Sequence, residues 1–268
     1  MTAAIVSEIR KTRSTRAWWI LLLAMAGYLV LTAVLMTLAM HYGGDGEEGA
    51  PLASLGGIAN LVYAVAQGIA YPFAVMIGAL TVTTEFRHKT LTWTFLAEPR
   101  RGRVLAAKMA AGVPLGLVYG VVAVGSTVAA GAVTLAIVNE PTSLDAAATW
   151  AMLGREVLAL VIWTLVGVGF GALLRNQVIA IVALLVFTQF IEPLLRTLPL
   201  MLEQKWTWVK FLPGAAGDGI AGKSFFSIMG AGSTVDSLST PWAAITLLAY
   251  AAVLGAAGYF TSFSRDVT

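Results

Sequence analysis

The stretch "GDGIAGKS", Gly217 to Ser224, fits G-x-x-x-x-G-K-[ST], in which backbone amides of a glycine-rich loop cradle nucleotide phosphates and the lysine reaches the terminal ones. Such a loop works between a strand and a helix of an α/β domain that also supplies a carboxylate for magnesium. The surrounding sequence offers none of this, since Ser224 is followed by one loop and one apolar run. Pro213, Gly214, Gly217, Gly219 and Gly222 instead break the chain into short helical pieces expected to dip back toward a bilayer, with Trp206, Trp208 and Phe211 at its interface. The match is read as coincidental, and no catalytic role is assigned to this chain. Other chemistry is sparse. His41 and His88 fall on opposite sides of the expected membrane and cannot share a metal. Arg155 and Glu156, near the outer end of an apolar run, read as a local ion pair. No serine, histidine and carboxylate constellation lies within the apolar runs, which disfavours an intramembrane hydrolase. Without cysteine there are no disulfides or thiolate metal sites.

Composition places the chain in a membrane. Of 268 residues, 58% are hydrophobic and 12% charged, with mean hydropathy +0.82, against about 25% charged in a soluble domain. The pI near 9.3 and net charge of +3 would suit nucleic acid. The basic residues gather in short loops between apolar runs, so membrane lipids rather than nucleic acid are the expected neighbours. The first run, Ala17 to Met40, reaches about 36 Å as a helix, enough for a hydrocarbon core of about 30 Å. Arg10, Lys11, Arg13 and Arg16 precede it as in a signal peptide, but it is too long for one and no A-x-A site follows, so it is read as retained. Five further uncharged runs complete the prediction: an all-α, polytopic membrane protein with six transmembrane helices near 17–40, 58–83, 109–138, 152–174, 177–195 and 241–263. A helix over 1–16 leads into the first span, loop 84–108 joins the second and third, and an outer segment covers 196–240. Residues 1–268 form a single domain, with no block left for a separate soluble core.

Charge sets the orientation. The N-terminal segment and the loop from Glu85 to Lys108 hold ten basic residues, whereas His41 to Gly49 and Glu140 to Thr149 hold Asp45, Glu47, Glu48, Glu140 and Asp145 and no Lys or Arg. Both termini are therefore expected in the cytoplasm, with Arg175 and Arg265 inside as well. Arg196, Lys205, Lys210 and Lys223 in the long outer segment run against the rule, which long loops obey weakly.

The inner loop "TVTTEFRHKTLTWTFLAEPRRGRVLAAKMAAG" mixes Phe86, Leu91, Trp93 and Phe95 with charge. Glu85 to Leu96 is expected to form a short amphipathic helix ended near Pro99. It can lie on anionic headgroups, which periodicity alone favours, or dock into a partner's groove. Polar groups within the spans mark a possible path: Asn60, Tyr63, Gln67 and Tyr71 with Pro72 in the second, Gln177 and Gln189 in the fifth. Buried amides also serve helix packing, so that alternative stays open for each. Gly112, Gly116 and Gly120 form a small-residue stripe expected to pack against another helix. No ionisable residue is seen at mid-span, which argues against a proton-coupled secondary transporter and leaves a non-transporting scaffold or lipid-binding protein as the other class.

"TEFRHKTL", Pro99 and "RRGRVLAAK" together resemble the first cytoplasmic loop of ABC-2 type transporter permeases, the membrane subunits of ATP-driven exporters. The resemblance extends over most of the chain. "EIRKTRSTRAWW" is similar to that family's amphipathic N-terminal helix, "GVGFGALLRNQVIAIVALLV" to its fourth and fifth spans with their tight inner turn, and "LPGAAGDGIAG" to its outer re-entrant segment. The resemblance implies a second permease chain, identical or related, and two copies of a cytoplasmic ABC ATPase that carry the ATP and magnesium, with no cofactor in this chain. It implies that Glu85, Phe86, Arg87, His88, Lys89, Thr90 and Leu91 are the coupling element that meets the ATPase. It also implies that Asn60, Tyr63, Gln67, Tyr71 and Gln189 line the substrate path. The expected location is a prokaryotic plasma membrane.

Overall fold

Apolar runs that must satisfy every backbone N–H and C=O internally coil into helices. The computed structural model describes residues 2–43, 57–202, 206–222 and 237–263, and these are helical with no strand among them. In chain order the helices are α1 (Thr2–Ser14), α2 (Ala17–Gly43), α3 (Gly57–Arg87), α4 (Leu91–Ala97), α5 (Arg101–Ile137), α6 (Ala147–Leu173), α7 (Gln177–Val186), α8 (Glu192–Met201), α9 (Pro213–Ala221) and α10 (Thr240–Gly258). A wide turn over Phe187–Ile191 joins α7 and α8 without a break, and another, Tyr259–Phe263, extends α10. Six helical stretches are long and apolar enough to cross a membrane: α2, α3, α5, α6, Gln177–Pro199 and Thr240–Phe263.

The expected six spans are therefore present, with longer helices than the uncharged runs suggested. α5 begins at Arg101 rather than near 109, which carries Arg101, Arg103 and Lys108 into its first turns. α3 runs on through Glu85, Phe86 and Arg87, so the amphipathic helix expected over 85–96 is split. The break is at Lys89, whose φ of 55° turns the chain left-handed, while the Lys89 and Thr90 amides bond back to the carbonyls of Phe86 and Glu85 and close the helix end. α4 then stops at Ala97, and Glu98 is extended ahead of Pro99, as a residue before proline prefers. Asn176 starts α7 by accepting from the amides of Val178 and Ile179 at 2.9 and 3.3 Å.

α3 and α6 form the interior. In each, 67% of the most apolar stretch is buried inside the chain, against 22% in α2 and in Gln177–Pro199. Helices in lipid gain little from burying Leu, so small residues that let backbones touch decide which pairs form. Between α3 and α6 these are Gly78, Gly167 and Gly171; a Cβ on Gly167 would strike the carbonyl of Val75. The stripe Gly112, Gly116, Gly120 packs α5 onto α6, as expected of a packing stripe: a Cβ on Gly116 would lie 2.8 Å from Cα of Val161.

The stretch Gly217–Ala221 is the end of helix α9, closed by Gly222 at φ 84°. It follows a short helical turn, Thr207–Phe211, and not a strand, so these residues do not form a phosphate loop between strand and helix. Trp206 and Trp208 stack there with ring centres 5.8 Å apart, and Trp208 and Phe211 are half exposed. Lys223 and Ser224, like Asp45, Glu47, Glu48, Lys205 and Arg265, lie outside the described residues.

Candidate functional site

α1, the end of α3, α4 and the start of α5 come together at one end of the bundle, opposite the end where Nδ1 of His41 meets Glu140 at 3.1 Å. Lys108 is the centre of this basic end. It sits among alanines two turns into α5, and its ammonium is completely buried. A buried ammonium must be neutralised and hydrogen-bonded. Lys108 Nζ donates to Glu8 Oε2 of α1 at 2.6 Å and lies 2.9 Å from Glu85 Oε1 of α3. Lys11 Nζ, one turn after Glu8, bonds Glu8 Oε1 at 2.6 Å and the same Glu85 oxygen at 2.9 Å. Two carboxylates and two ammonium groups thus form a neutral knot that fastens α1 to α3 and α5.

Burial opposes the charge on Glu8, yet Lys108 and Lys11 outweigh it and hold its carboxyl below the ordinary 4.5. Burial likewise opposes the charge on Lys11, and its bonds to Glu8 and Glu85 outweigh that, raising it above 10.5. The Glu8 contribution is present above the unfolded value and lost as pH falls through the depressed one. That of Lys11 is complete below 10.5 and lost as pH rises through the raised one. Docking of α1 is therefore expected to hold across neutral pH and weaken at both extremes. Because the chain has no cysteine, a dye on Val6→Cys reports this uniquely: its anisotropy should fall on an acid and an alkaline limb, and a flat profile would contradict the knot.

α4 lies beside the knot with two distinct faces. Leu91 is buried, and Phe95 packs edge-on to Phe263 with centres 5.7 Å apart, as Phe86 does at 6.1 Å. Arg101 stands over the Phe95 ring and donates to the Phe263 carbonyl at 2.8 Å, tying α4 and α5 to the end of the sixth span. The other face carries Trp93, 74% exposed, and Leu96, 69% exposed. A cleft of about 800 Å³ opens between α1, α3 and α4, lined by Ser7, Lys11, Thr84, His88, Trp93 and Glu98 among others. The seven residues singled out for coupling thus divide. Arg87, His88, Lys89 and Thr90 are exposed, Phe86 is half-buried, and Glu85 and Leu91 are internal. Trp93 was noted only as an apolar residue of the inner loop, and Leu96 and the joining of Glu8, Lys11 and Lys108 were not singled out; a lysine flanked by alanines in a helix was the available signal.

The candidate path residues are only partly brought together. Tyr63 is buried and donates to the Thr142 carbonyl at 3.0 Å, and Tyr71 to that of Thr188 at 2.8 Å, with its ring 4.7 Å from that of Trp163. Asn60 lies within 3.3 Å of the Thr149 hydroxyl near the far end. Gln67 is buried. Gln189, by contrast, is exposed on the fifth span, next in the chain to the Thr188 that Tyr71 bonds, and Gln177 accepts from Arg87 at 3.4 Å.

No protein-family model and no curated protein matches this chain.

The spans do hold ionisable residues: Glu156 of α6 and Glu192 at the start of α8 are buried, and Arg196 pairs with Asp218 of α9. Arg155 and Glu156 do not form the local pair expected, since neither Glu156 oxygen has a hydrogen-bond partner. Adjacent residues on a helix point about 100° apart, so Arg155 acts on Glu156 through its charge and not through a hydrogen bond.

Proposed function

We propose that this chain is the membrane-spanning permease subunit of an ATP-driven exporter, working with a second permease chain and two cytoplasmic ABC ATPase subunits that hydrolyse ATP. The observation that carries this reading is the junction of α3 and α4: Arg87, His88 and Lys89 at the end of α3 and in the turn after it, and Trp93 and Leu96 on α4, are exposed beside an open cleft. An exposed basic and apolar face of this kind suits a partner helix or groove. A push on it would reach α3, which is packed in the interior, and tilt the bundle as a rigid body. The resemblance of "TEFRHKTL" and its surroundings to ABC-2 type permeases supplies the partner's class. On this reading the basic end and both termini are cytoplasmic, the membrane is a prokaryotic plasma membrane, α1 is the amphipathic helix leading into the first span, and the segment around α9 is re-entrant from outside. The aromatic residues Tyr63, Tyr71 and Phe73 suit amphipathic cargo such as drugs, peptides or lipids, and transport of hydrophilic sugars alone would overturn that choice.

The test is purification of the tagged chain from its own membrane in mild detergent, with mass spectrometry of what accompanies it. A stoichiometric ABC ATPase is expected, and its recovery should fall at least about tenfold, worth about 1.4 kcal/mol, when Arg87→Glu and Trp93→Ala are combined. These side chains are exposed, so the fold should survive the change. Recovery of the chain without an ATPase, under gentle crosslinking, would favour a secondary transporter, a reading the buried acids Glu156 and Glu192 support.

A further inference from the structure

Helix α9 lies against α3, α6 and α10, and its contact with α6 is lined with polar atoms that the chain leaves unsatisfied. Glu156 is 0% exposed, and both of its carboxyl oxygens lack a partner. It lies about 13 Å along α6 from Ala147, well inside the span. Two turns further on, the same face of α6 carries Trp163. The indole nitrogen of Trp163 and the amide nitrogen of Gln67 from α3 are also buried and unpartnered, and each lies 2.6 Å from the point that a Cβ on Gly217 of α9 would occupy. Across this seam Glu192 accepts from the amides of Gly214 and Ala215, while its second oxygen has no partner.

The charges facing Glu156 come from two elements, Arg155 on its own helix and Asp218 on α9. Asp218 is in turn paired with Arg196, which neighbours Glu192, and Tyr71 of α3 and Tyr250 of α10 face the same group. The side chains of Asp218 and Arg196 are each 11% exposed, so the seam reaches the surface through them.

An ionised carboxylate without a donor is among the costliest groups to bury, whereas a carboxyl O–H is neutral. The cleft at the basic end does not include Glu156, so its two unpartnered oxygens belong to the seam alone. We propose that Glu156 is an exchangeable proton-binding site inside the bundle, filled from solvent by way of the Asp218–Arg196 pair and coupled to the seating of α9 on α6. Hydronium gives its proton to a Glu156 oxygen, forming the O–H and leaving water; unloading reverses the step and places a negative charge beside Asp218. The loaded site keeps α9 seated, and the unloaded one repels it. The assignment does not depend on an ATPase partner.

The test uses the purified full chain in lipid nanodiscs. A hydrophobic carbodiimide attacks the acid form of a carboxyl in apolar surroundings and leaves a mass tag on it. Labelling of the wild-type peptide containing Glu156 is expected at pH 6 and should drop at least about tenfold by pH 9. Infrared difference spectra between the two pH values should contain a carboxyl C=O band that disappears in Glu156→Gln. Labelling that does not change with pH, or no carboxyl band that depends on Glu156, would each overturn the proposal. The labelling arm needs no substitution, so a variant that fails to fold leaves the test intact. Titration of Glu156 in a chain that captures no ATPase would sink the exporter reading and leave this one standing.

Discussion

Lys108→Met is expected to undock α1 and lower stability by about 3–5 kcal/mol, the usual result of removing one partner from a buried ion pair. The substitution keeps the length of the side chain and its fit among the alanines of α5. It removes the one fully buried charge of the knot and leaves Glu8 and Glu85, both nearly buried, facing each other with only the half-exposed Lys11 between them. Thermal unfolding of the detergent-solubilised protein would show the loss, and the dye on Val6→Cys would show whether α1 is the part released. The double variant Glu8→Gln, Lys108→Met removes one charge of each sign and should recover a large part of the deficit, because the pair rather than either residue is what the fold needs. Coupling between contacting charges of about 0.5–3 kcal/mol is ordinary. A single variant within about 0.5 kcal/mol of wild type, the range of an ordinary surface change, would mean the knot is incidental to the docking of α1.

That knot shows where sequence reading stops. Glu8, Glu85 and Lys108 are far apart in the chain, and nothing periodic links them; each looks like a solvated charge near a span. The spans themselves were legible because a run such as Ala17 to Met40 has one stable form in hydrocarbon. Their ends were not, because a helix continues past the last apolar residue as long as its charges find partners. Arg101 and Lys108 do so with the Phe263 carbonyl and with Glu8, and α5 therefore starts early. The amphipathic pattern of Glu85 to Leu96 was visible, but the left-handed turn at Lys89 was not, because lysine gives no warning of positive φ. Glu156 was misread for a simpler reason. Its sequence neighbour Arg155 suggested a pair, although helical geometry sends the two side chains to different faces. Asp218, the neighbour on α9, belongs to a stretch that had attracted notice only for its glycines and lysine.

The stripe of small residues between α3 and α6 leads to the other large effect. Gly167→Ala should destabilise the protein by about 3 kcal/mol, at the upper end of what overpacking costs, even though alanine is the better helix former by about 1 kcal/mol. The added methyl would meet the backbone of Val75, and backbone in the middle of a long helix cannot rotate aside as a side chain can. Gly171, one turn on, is held in the same way, with a Cβ position 2.5 Å from the Ala79 carbonyl, so the two helices cannot separate at one point without losing the next. Gly154 provides the control on the same helix. Nothing lies within 4 Å of its Cβ position, so Gly154→Ala should be neutral or stabilising by up to about 1 kcal/mol. Unfolding of both variants in the same detergent separates crowding from helix propensity. Equal stability of the two would show that α3 and α6 do not approach as closely as these glycines require. It would also remove the rigid interior through which a push on α4 is proposed to reach the rest of the bundle.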